Sequence, residues 1–198
     1  MGIPDKNLHL EETDRKYIWH PFTQMQEWEQ EIPVVIEEGQ DCFIKDIYGR
    51  WYLDGVSSLW VNIFGHRKKE IDDAIMVQLG RIAHSTMLGL SNVPAIQLAE
   101  KLVKIVGQSI GHAQGPAPAR VFYSDNGSTA VEVALKMAFQ YWRHKGVSGK
   151  NSFLSLENAY HGDTLGAVSV GGVEIFHKTF GPLLFHTFKA TSPYCYRC

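Results

Sequence analysis

One stretch in the middle of the chain constrains the fold more than any other. Its apolar start, residues 120–123, predicts a strand, and the polar residues 124–128 predict a tight turn. A long helix is expected to follow from Ser128 or Thr129, with Ser128 capping its first turn and Gly146 ending it. Strand, turn and helix in this order form the repeating unit of an α/β sheet.

The same turn has the composition of an anion site. The first N–H groups of a helix have no partners within it and lie at the positive end of its dipole. Gly127 would let a ligand approach the backbone closely, and the Ser128 hydroxyl would add a donor. Further along the helix, Glu132 and Lys136 have the spacing of a favourable ion pair. A phosphate-binding turn and a simple capped helix both fit this segment.

A second turn follows the next predicted strand, residues 152–156, and carries Tyr160 and Asp163. Because parallel strands end at the same edge of a sheet, we expect Tyr160 at the same level as Gly127 and Ser128. Tyr160 could lie flat on a planar ligand whose phosphate occupies the first turn, or it could simply close the end of the sheet. Asp163 is expected to cap a short helix, and its carboxylate could also meet a substrate amine.

The chain is predicted to be an α/β protein in two parts. Residues 1–54 would form a small N-terminal segment, and residues 55–198 would begin a larger domain with a mostly parallel sheet. In the first part, the polar residues 1–15 are expected to be loose. Short apolar runs predict a small antiparallel element with strands at 34–36, 42–44 and 51–53. The helical spacing of apolar residues predicts amphipathic helices at 69–82 and 92–105.

Composition excludes several classes of partner. The 198 residues include 19 basic and 21 acidic side chains, so the charge excess typical of nucleic-acid binding is absent. The sequence has no apolar run long enough to span a bilayer, and its polar start is unlike a secretory signal. Three cysteines do not make a disulfide framework, which favours a reducing, cytoplasmic compartment. We expect neither a nucleic-acid partner nor a membrane partner.

Two short motif matches are expected to be chance. Gly107, Ser109 and Gly111 have the G-x-S-x-G spacing of serine hydrolases, but that motif needs a preceding strand and the sequence predicts a helix there. Cys195 and Cys198 have C-x-x-C spacing, but no helix begins at the motif and no second pair completes a zinc site. The nine histidines have no metal-binding spacing, so no metal is expected.

Two segments resemble the class III aminotransferases, which are pyridoxal-phosphate enzymes of the aspartate aminotransferase fold, known as fold type I. They are D-N-G-S-T-A-V-E-V-A-L-K-M-A at residues 125–138 and A-Y-H-G-D-T-L-G-A at residues 159–167. Three further stretches resemble the biotin-pathway branch of this class, whose members convert 8-amino-7-oxononanoate to 7,8-diaminononanoate with an amino donor. These stretches are residues 20–25, 55–66 and 134–142. Another class III aminotransferase, acting on an omega-amino substrate, remains an alternative.

The resemblance implies pyridoxal 5′-phosphate as the cofactor and assigns roles by position. Gly127 and Ser128 would hold the cofactor phosphate, and Tyr160 would stack on the pyridine ring. The pocket for the small-molecule substrates would be bordered by Phe22, Trp60, Tyr160 and Asp163. Branch members that use S-adenosylmethionine as donor typically have Tyr at the position of Phe22 and Trp at that of Leu59. The departures at these two positions resemble the lysine-using variant more closely.

The resemblance also sets expectations about activity. The lysine that forms the Schiff base with the cofactor would lie beyond Cys198, so we expect no catalytic residue in this chain and no activity of the chain alone. The sequence stops without a closing helix or strand, which suggests truncation. Family members are normally homodimers, and the full-length form is expected to be one. Two hypotheses remain: the N-terminal part of an active transaminase, or a non-catalytic remnant of one.

Overall fold

The computed structural model describes residues 6–109 and 120–196, and the chain divides into two compact units. The first unit is Met1–Asn92 and the second is Val93–Cys198. The functional division between residues 54 and 55 remains a prediction. None of the helices within the described ranges combines the length and apolar character that crossing a bilayer requires.

The first unit contains a three-stranded antiparallel sheet in the order β1–β2–β3. Its strands are Ile36–Gln40, Phe43–Asp46 and Trp51–Leu53. Gly49 takes a φ of 82° in the turn between β2 and β3, which is a conformation that glycine adopts without strain. The predicted antiparallel element is confirmed, although its first strand begins at Ile36 instead of residue 34.

The buried carboxylate of Asp46 stabilises this turn by accepting hydrogen bonds. Its side chain is 1% exposed and accepts hydrogen bonds from the backbone N–H groups of Tyr48 and Arg50, both at 2.9 Å. Arg50 Nε and the Tyr52 hydroxyl also donate to it. Desolvation alone would raise the pKa of Asp46, but these hydrogen bonds outweigh it and lower the pKa to about 2.

The helices of the first unit are α1 (Lys6–Tyr17), α2 (Met25–Trp28), the single turn α3 (Ser57–Trp60) and α4 (Lys69–Leu79). The predicted amphipathic helix after residue 69 is confirmed by α4. The prediction that the start of the chain is loose is wrong for residues 6–15, which lie in α1. This segment is rich in good helix formers, and Glu11 accepts a 2.7 Å hydrogen bond from the Tyr48 hydroxyl, which ties the helix to the sheet.

The second unit alternates helices with short strands. In order they are α5 (Val93–Ser109), α6 (Gly127–His144), β4 (Leu154–Leu156), α7 (Leu165–Val170), α8 (Glu174–His177), a 3-10 helix (Lys178–Leu183) and β5 (Phe188–Ala190). The strands β4 and β5 are parallel neighbours, as expected for the beginning of a parallel sheet. The predicted end of α6 is confirmed, since Gly146 follows it with a φ of 73°.

Two sequence-based predictions in this unit concern segments near α5. The predicted strand at residues 120–123 is wrong, because these residues pair with no strand in the described part of the chain. A strand needs a hydrogen-bonded neighbour, which a local apolar pattern cannot supply. Ser109 is the last residue of α5, so no strand precedes it as a hydrolase motif requires. Gly111 and Cys198, the ends of the two chance motifs, lie outside the described residues.

The short helix α7 is the buried centre of the second unit. Its residues Ala167, Val168 and Val170 are buried, and it packs against α6. At its C-terminal end, Lys189 Nζ donates hydrogen bonds to the carbonyl oxygens of Ser169 and Gly171. Burial lowers the pKa of Lys189. A cation at this end of the helix interacts favourably with the helix dipole.

Candidate functional site

The first turn of the candidate site is set by the cap of α6. Asn126 is the N-cap, in an extended conformation, and its Oδ1 accepts a hydrogen bond from the Thr129 N–H at 3.0 Å. The Thr129 hydroxyl oxygen in turn accepts from the Asn126 N–H at 3.2 Å, which completes a capping box. The prediction that Ser128 caps this helix is therefore wrong. Ser128 already lies inside the helix, where its side chain points to another partner.

The cap leaves two backbone donors of α6 open. Among the described residues, no acceptor meets the N–H groups of Gly127 and Ser128, the first two residues of the helix. A Cβ atom at Gly127 would have nothing within 4 Å, so the space in front of this turn is open. Two free donors at the positive end of an 18-residue helix can bind an anion such as a phosphate group.

The second turn of the site lies directly against the first. The backbone N–H of Asp163 donates a 3.1 Å hydrogen bond to Ser128 Oγ, which leaves the Ser128 hydroxyl proton available for a ligand. Gly162 makes this contact possible. It has a φ of 117°, and a Cβ atom at this position would overlap Ser128 Oγ. The sequence analysis did not identify Gly162 as a site residue. Its position in a strand-to-helix turn was the only indication that the sequence offered.

Tyr160 and Asp163 form a pair at this turn. The Tyr160 hydroxyl donates a 2.6 Å hydrogen bond to Asp163 Oδ2, and about half of the Tyr160 side chain remains exposed. This hydrogen bond, together with partial desolvation, raises the pKa of Tyr160. The prediction that Asp163 caps a helix is wrong, because Thr164 is the N-cap of α7. The carboxylate of Asp163 instead accepts from a phenol three residues earlier and so orients its ring.

Glu132 connects α6 to the turn that carries this pair. Its Oε1 accepts hydrogen bonds from the backbone N–H groups of Gly166 at 2.7 Å and Ala167 at 3.3 Å, at the N-terminus of α7. The nearby Thr164 hydroxyl lowers the pKa of Glu132 most strongly, burial opposes this, and the two N–H groups and the charge of Lys136 lower it further. The carboxylate therefore serves mainly as an anchor for α7. The sequence predicted only an ion pair between Glu132 and Lys136, four residues apart, and did not indicate the contact with α7.

Phe22 and Trp60, the other predicted site residues, lie in the first unit on separate turns. Phe22 follows Pro21 with a φ of 52°, and its side chain is 84% exposed. Trp60 ends α3 with a φ of 70° and is 74% exposed. Hydrogen bonds thus connect Ser128, Tyr160 and Asp163 in the second unit. The side chains of Phe22 and Trp60 are exposed in the first unit.

Comparison with known proteins places this chain in a family. The family model for class III aminotransferases matches residues 24–197. The chain is 55% identical over 197 residues to the adenosylmethionine-8-amino-7-oxononanoate aminotransferase of Geobacter sulfurreducens, which is 99% of this chain and 42% of that protein. It is 52% identical over 194 residues to the same enzyme of Methanocaldococcus jannaschii, covering 98% of this chain and 40% of that protein. The chain spans about two fifths of the length of these curated relatives.

Solved structures agree with the sequence comparison. The crystal structure of the Methanocaldococcus jannaschii enzyme matches with a TM-score of 0.87 and 50% identity, over 98% of this chain and 42% of that one. An amine transaminase from an uncultivated Pseudomonas species, in its PLP-bound form, matches with a TM-score of 0.79 and 38% identity, over 92% and 40% of the two chains. The predicted fold type I architecture is confirmed, and family and neighbours imply pyridoxal phosphate as cofactor. The chain therefore belongs to the class III aminotransferase family.

Proposed function

We propose that this chain provides the phosphate- and ring-binding part of an aminotransferase of biotin biosynthesis. The reaction would convert 8-amino-7-oxononanoate to 7,8-diaminononanoate. The observation that carries the proposal is the pair of free N–H groups at Gly127 and Ser128, with the exposed ring of Tyr160 held beside them through Asp163. The names of relatives that are 52–55% identical support the substrate.

Each residue of the second unit would have one task in holding pyridoxal phosphate. Gly127 and Ser128 would bind the phosphate through their N–H groups, and the Ser128 hydroxyl would add its proton. Tyr160 would stack on the pyridine ring, with its hydroxyl fixed by Asp163 at 2.6 Å. When bound, the cofactor supplies the electron sink for amino-group transfer. The open space at Gly127 and the exposed ring of Tyr160 fit such a ligand.

Four residues would border the substrate pocket, and two of them bear on the amino donor. These four are Phe22, Trp60, Tyr160 and Asp163. Phe22 and Leu59 argue for lysine as donor, since a donor site without the hydroxyl and indole of other branch members loses their contacts. The relatives' names argue for S-adenosylmethionine. A donor assay on a full-length enzyme carrying this chain, with both donors in parallel, separates them: turnover with S-adenosylmethionine alone would refute the lysine hypothesis.

The proposal extends to assembly and compartment. The resemblance to family members, which are normally homodimers, supports a homodimer in the full-length form. Cys42 and Cys195 are free and exposed, which supports a reducing, cytoplasmic location.

A binding experiment tests the cofactor site directly. Pyridoxine 5′-phosphate lacks the aldehyde, so it reports on the phosphate and ring contacts without bonding to lysine. Titrated into the ¹⁵N-labelled chain, it should shift the amide resonances of Gly127 and Ser128, whereas pyridoxine without phosphate should not. Ser128→Ala should weaken this binding several-fold, because a hydrogen bond to a charged phosphate is lost.

The matched control is Ser148→Ala, at an exposed serine in the turn after α6. It should bind like the parent chain. Equal shifts with both pyridoxine compounds, or equal affinity of Ser128→Ala and the parent, would refute the assignment. The intact mass of the native polypeptide separates the other two hypotheses: a mass near that of 198 residues would support the non-catalytic remnant, and a much larger mass would support the N-terminal part of an active transaminase.

A further inference from the structure

The turn α3 has a backbone that its sequence does not favour. Ser57, Ser58, Leu59 and Trp60 have φ values of 50°, 48°, 62° and 70°, and none of them is glycine. Ser58 and Leu59 have ψ values of 50° and 57°, so the segment is one turn of left-handed helix. L-amino acids disfavour this conformation, and consecutive residues in it persist only where surrounding contacts impose it.

Asp54 supplies the first of these contacts. Its side chain is 5% exposed and accepts hydrogen bonds from both the backbone N–H and the hydroxyl of Ser58, each at 2.8 Å. Its backbone carbonyl accepts from the Ser57 N–H at 3.1 Å. The same carboxylate meets His66 Nε2 at 2.9 Å. One buried acidic group therefore binds the strained turn on one side and an imidazole on the other.

His66 connects this group to the antiparallel sheet. Its backbone N–H and carbonyl pair with Asp41, at 2.7 and 3.1 Å. Its ring lies against Gly39 in β1, where a Cβ atom would overlap it. Its Nδ1 is 2.7 Å from Asn62 Oδ1 in the amide orientation that satisfies both ends of Asn62. The ring is thus held from both nitrogens and from the sheet.

The anchoring groups and the apolar side chains of the turn differ in their burial. Asp54 and His66 are buried or nearly so, whereas Leu59 and Trp60 are 67% and 74% exposed. Asp54 binds Ser58 directly, and His66 holds Asp54. Leu59 and Trp60 remain exposed for a ligand. If Ser57–Trp60 relaxed to ordinary right-handed geometry, the direction of both apolar side chains would change, because φ and ψ at each residue set where Cβ points.

We propose that Asp54 and His66 are positioning residues, which hold the left-handed turn and so direct Leu59 and Trp60 toward the aliphatic part of an amino or oxo acid substrate. This inference rests on the proposed function, in which Trp60 borders the substrate pocket. Leu59 and Trp60 present an apolar and aromatic surface, which suits the methylene chain of such a substrate.

The chain labelled with 5-fluorotryptophan provides the test, with the Trp60 ¹⁹F resonance assigned through Trp60→Phe. The parent should show a single Trp60 resonance that shifts when 8-amino-7-oxononanoate is added. Asp54→Ala should raise the population of a second Trp60 state about tenfold or more, since hydrogen bonds to a buried carboxylate are lost. Ser58→Ala removes only the hydroxyl contact and should have a smaller effect of the same kind. The control Asp73→Ala removes an exposed carboxylate on α4 and should leave the resonance unchanged.

A rescue separates positioning from general destabilisation. Ser57→Gly relieves the left-handed strain, because glycine adopts positive φ freely, and it should restore the parent resonance in the Asp54→Ala background. An unchanged Trp60 resonance in Asp54→Ala, or no rescue by Ser57→Gly, would overturn the positioning role. The proposed function is tested separately in the parent chain. It is wrong if the substrate does not shift the Trp60 resonance, or if pyridoxine 5′-phosphate does not shift the Gly127 amide resonance. Neither result depends on the behaviour of Asp54→Ala.

Discussion

The contact between Gly162 and Ser128 yields the most quantitative prediction. In Gly162→Ala, the new Cβ atom would occupy the position of Ser128 Oγ, and Ala would have to adopt a φ of 117°. Such backbone strain costs about 1–3 kcal/mol for a residue other than glycine. Displacing Ser128 also breaks its hydrogen bond from the Asp163 N–H, which contributes about 1 kcal/mol. We therefore expect the free energy of opening this turn to fall by about 2–4 kcal/mol.

Native-state hydrogen exchange measures this free energy, with the amide of Asp163 and those of α7 as reporters. The matched control is Gly149→Ala, where a Cβ atom would have nothing within 4 Å and the backbone is not left-handed. It should change stability by less than about 0.5 kcal/mol. Adding Ser128→Ala should not rescue Gly162→Ala, because Cβ and Cα of residue 128 also lie within 3 Å of the new atom. Equal protection of Asp163 in Gly162→Ala and Gly149→Ala would refute the argument.

Three further predictions concern charged groups. Glu132→Gln should lower the opening free energy of α7 by about 1–2 kcal/mol, because a neutral amide accepts the two N–H groups more weakly; unchanged exchange at Gly166 would contradict this. The pKa of Tyr160 is raised above its ordinary value of 10.0, so its contact with Asp163 should be fully present below pH 10.0 and should be lost as the pH rises through the raised pKa. A ¹³C titration of Tyr160 that gives the same pKa in Asp163→Asn as in the parent would be evidence against this contact. The pKa of Asp54 is lowered, first by its hydrogen bonds from Ser58 and then by His66, so α3 should persist above pH 3.8 and open only as pH falls through the lower value. A change of the Trp60 resonance centred above pH 3.8 would count against this assignment.

Periodicity and glycine placement were sufficient to predict several of the regular parts of the chain. The helix α4, the end of α6 before Gly146 and the antiparallel strands follow from local patterns, and so does the parallel character of the later strands. The motifs also identified the family and the fold type. The roles of Gly127, Ser128, Tyr160 and the other site residues remain predictions.

The features that were missed depend on hydrogen-bond partners that the apolar pattern of the sequence does not report. Asn126 replaces Ser128 as the cap because the helix begins at Gly127, two residues before the start at Thr129 that a Ser128 cap requires. Residues 120–123 lack a strand neighbour, which no local signal can report. The left-handed turn Ser57–Trp60 contains no glycine, so local preference argues against it, and the hydrogen bonds from Ser58 to the buried carboxylate of Asp54 help to stabilise it.

The helix α7 has an opposite charge at each end: Glu132 binds its first N–H groups, and Lys189 binds its last carbonyl oxygens. One charge comes from a helix that precedes α7 in the chain, and the other from a strand that follows it. Six residues cannot form a stable helix alone, so α7 needs both partners before it can persist. We therefore expect α7 to form late in folding. Substitutions in it, such as Val168→Ala, should accelerate unfolding while leaving the folding rate nearly unchanged, which corresponds to a φ-value near zero.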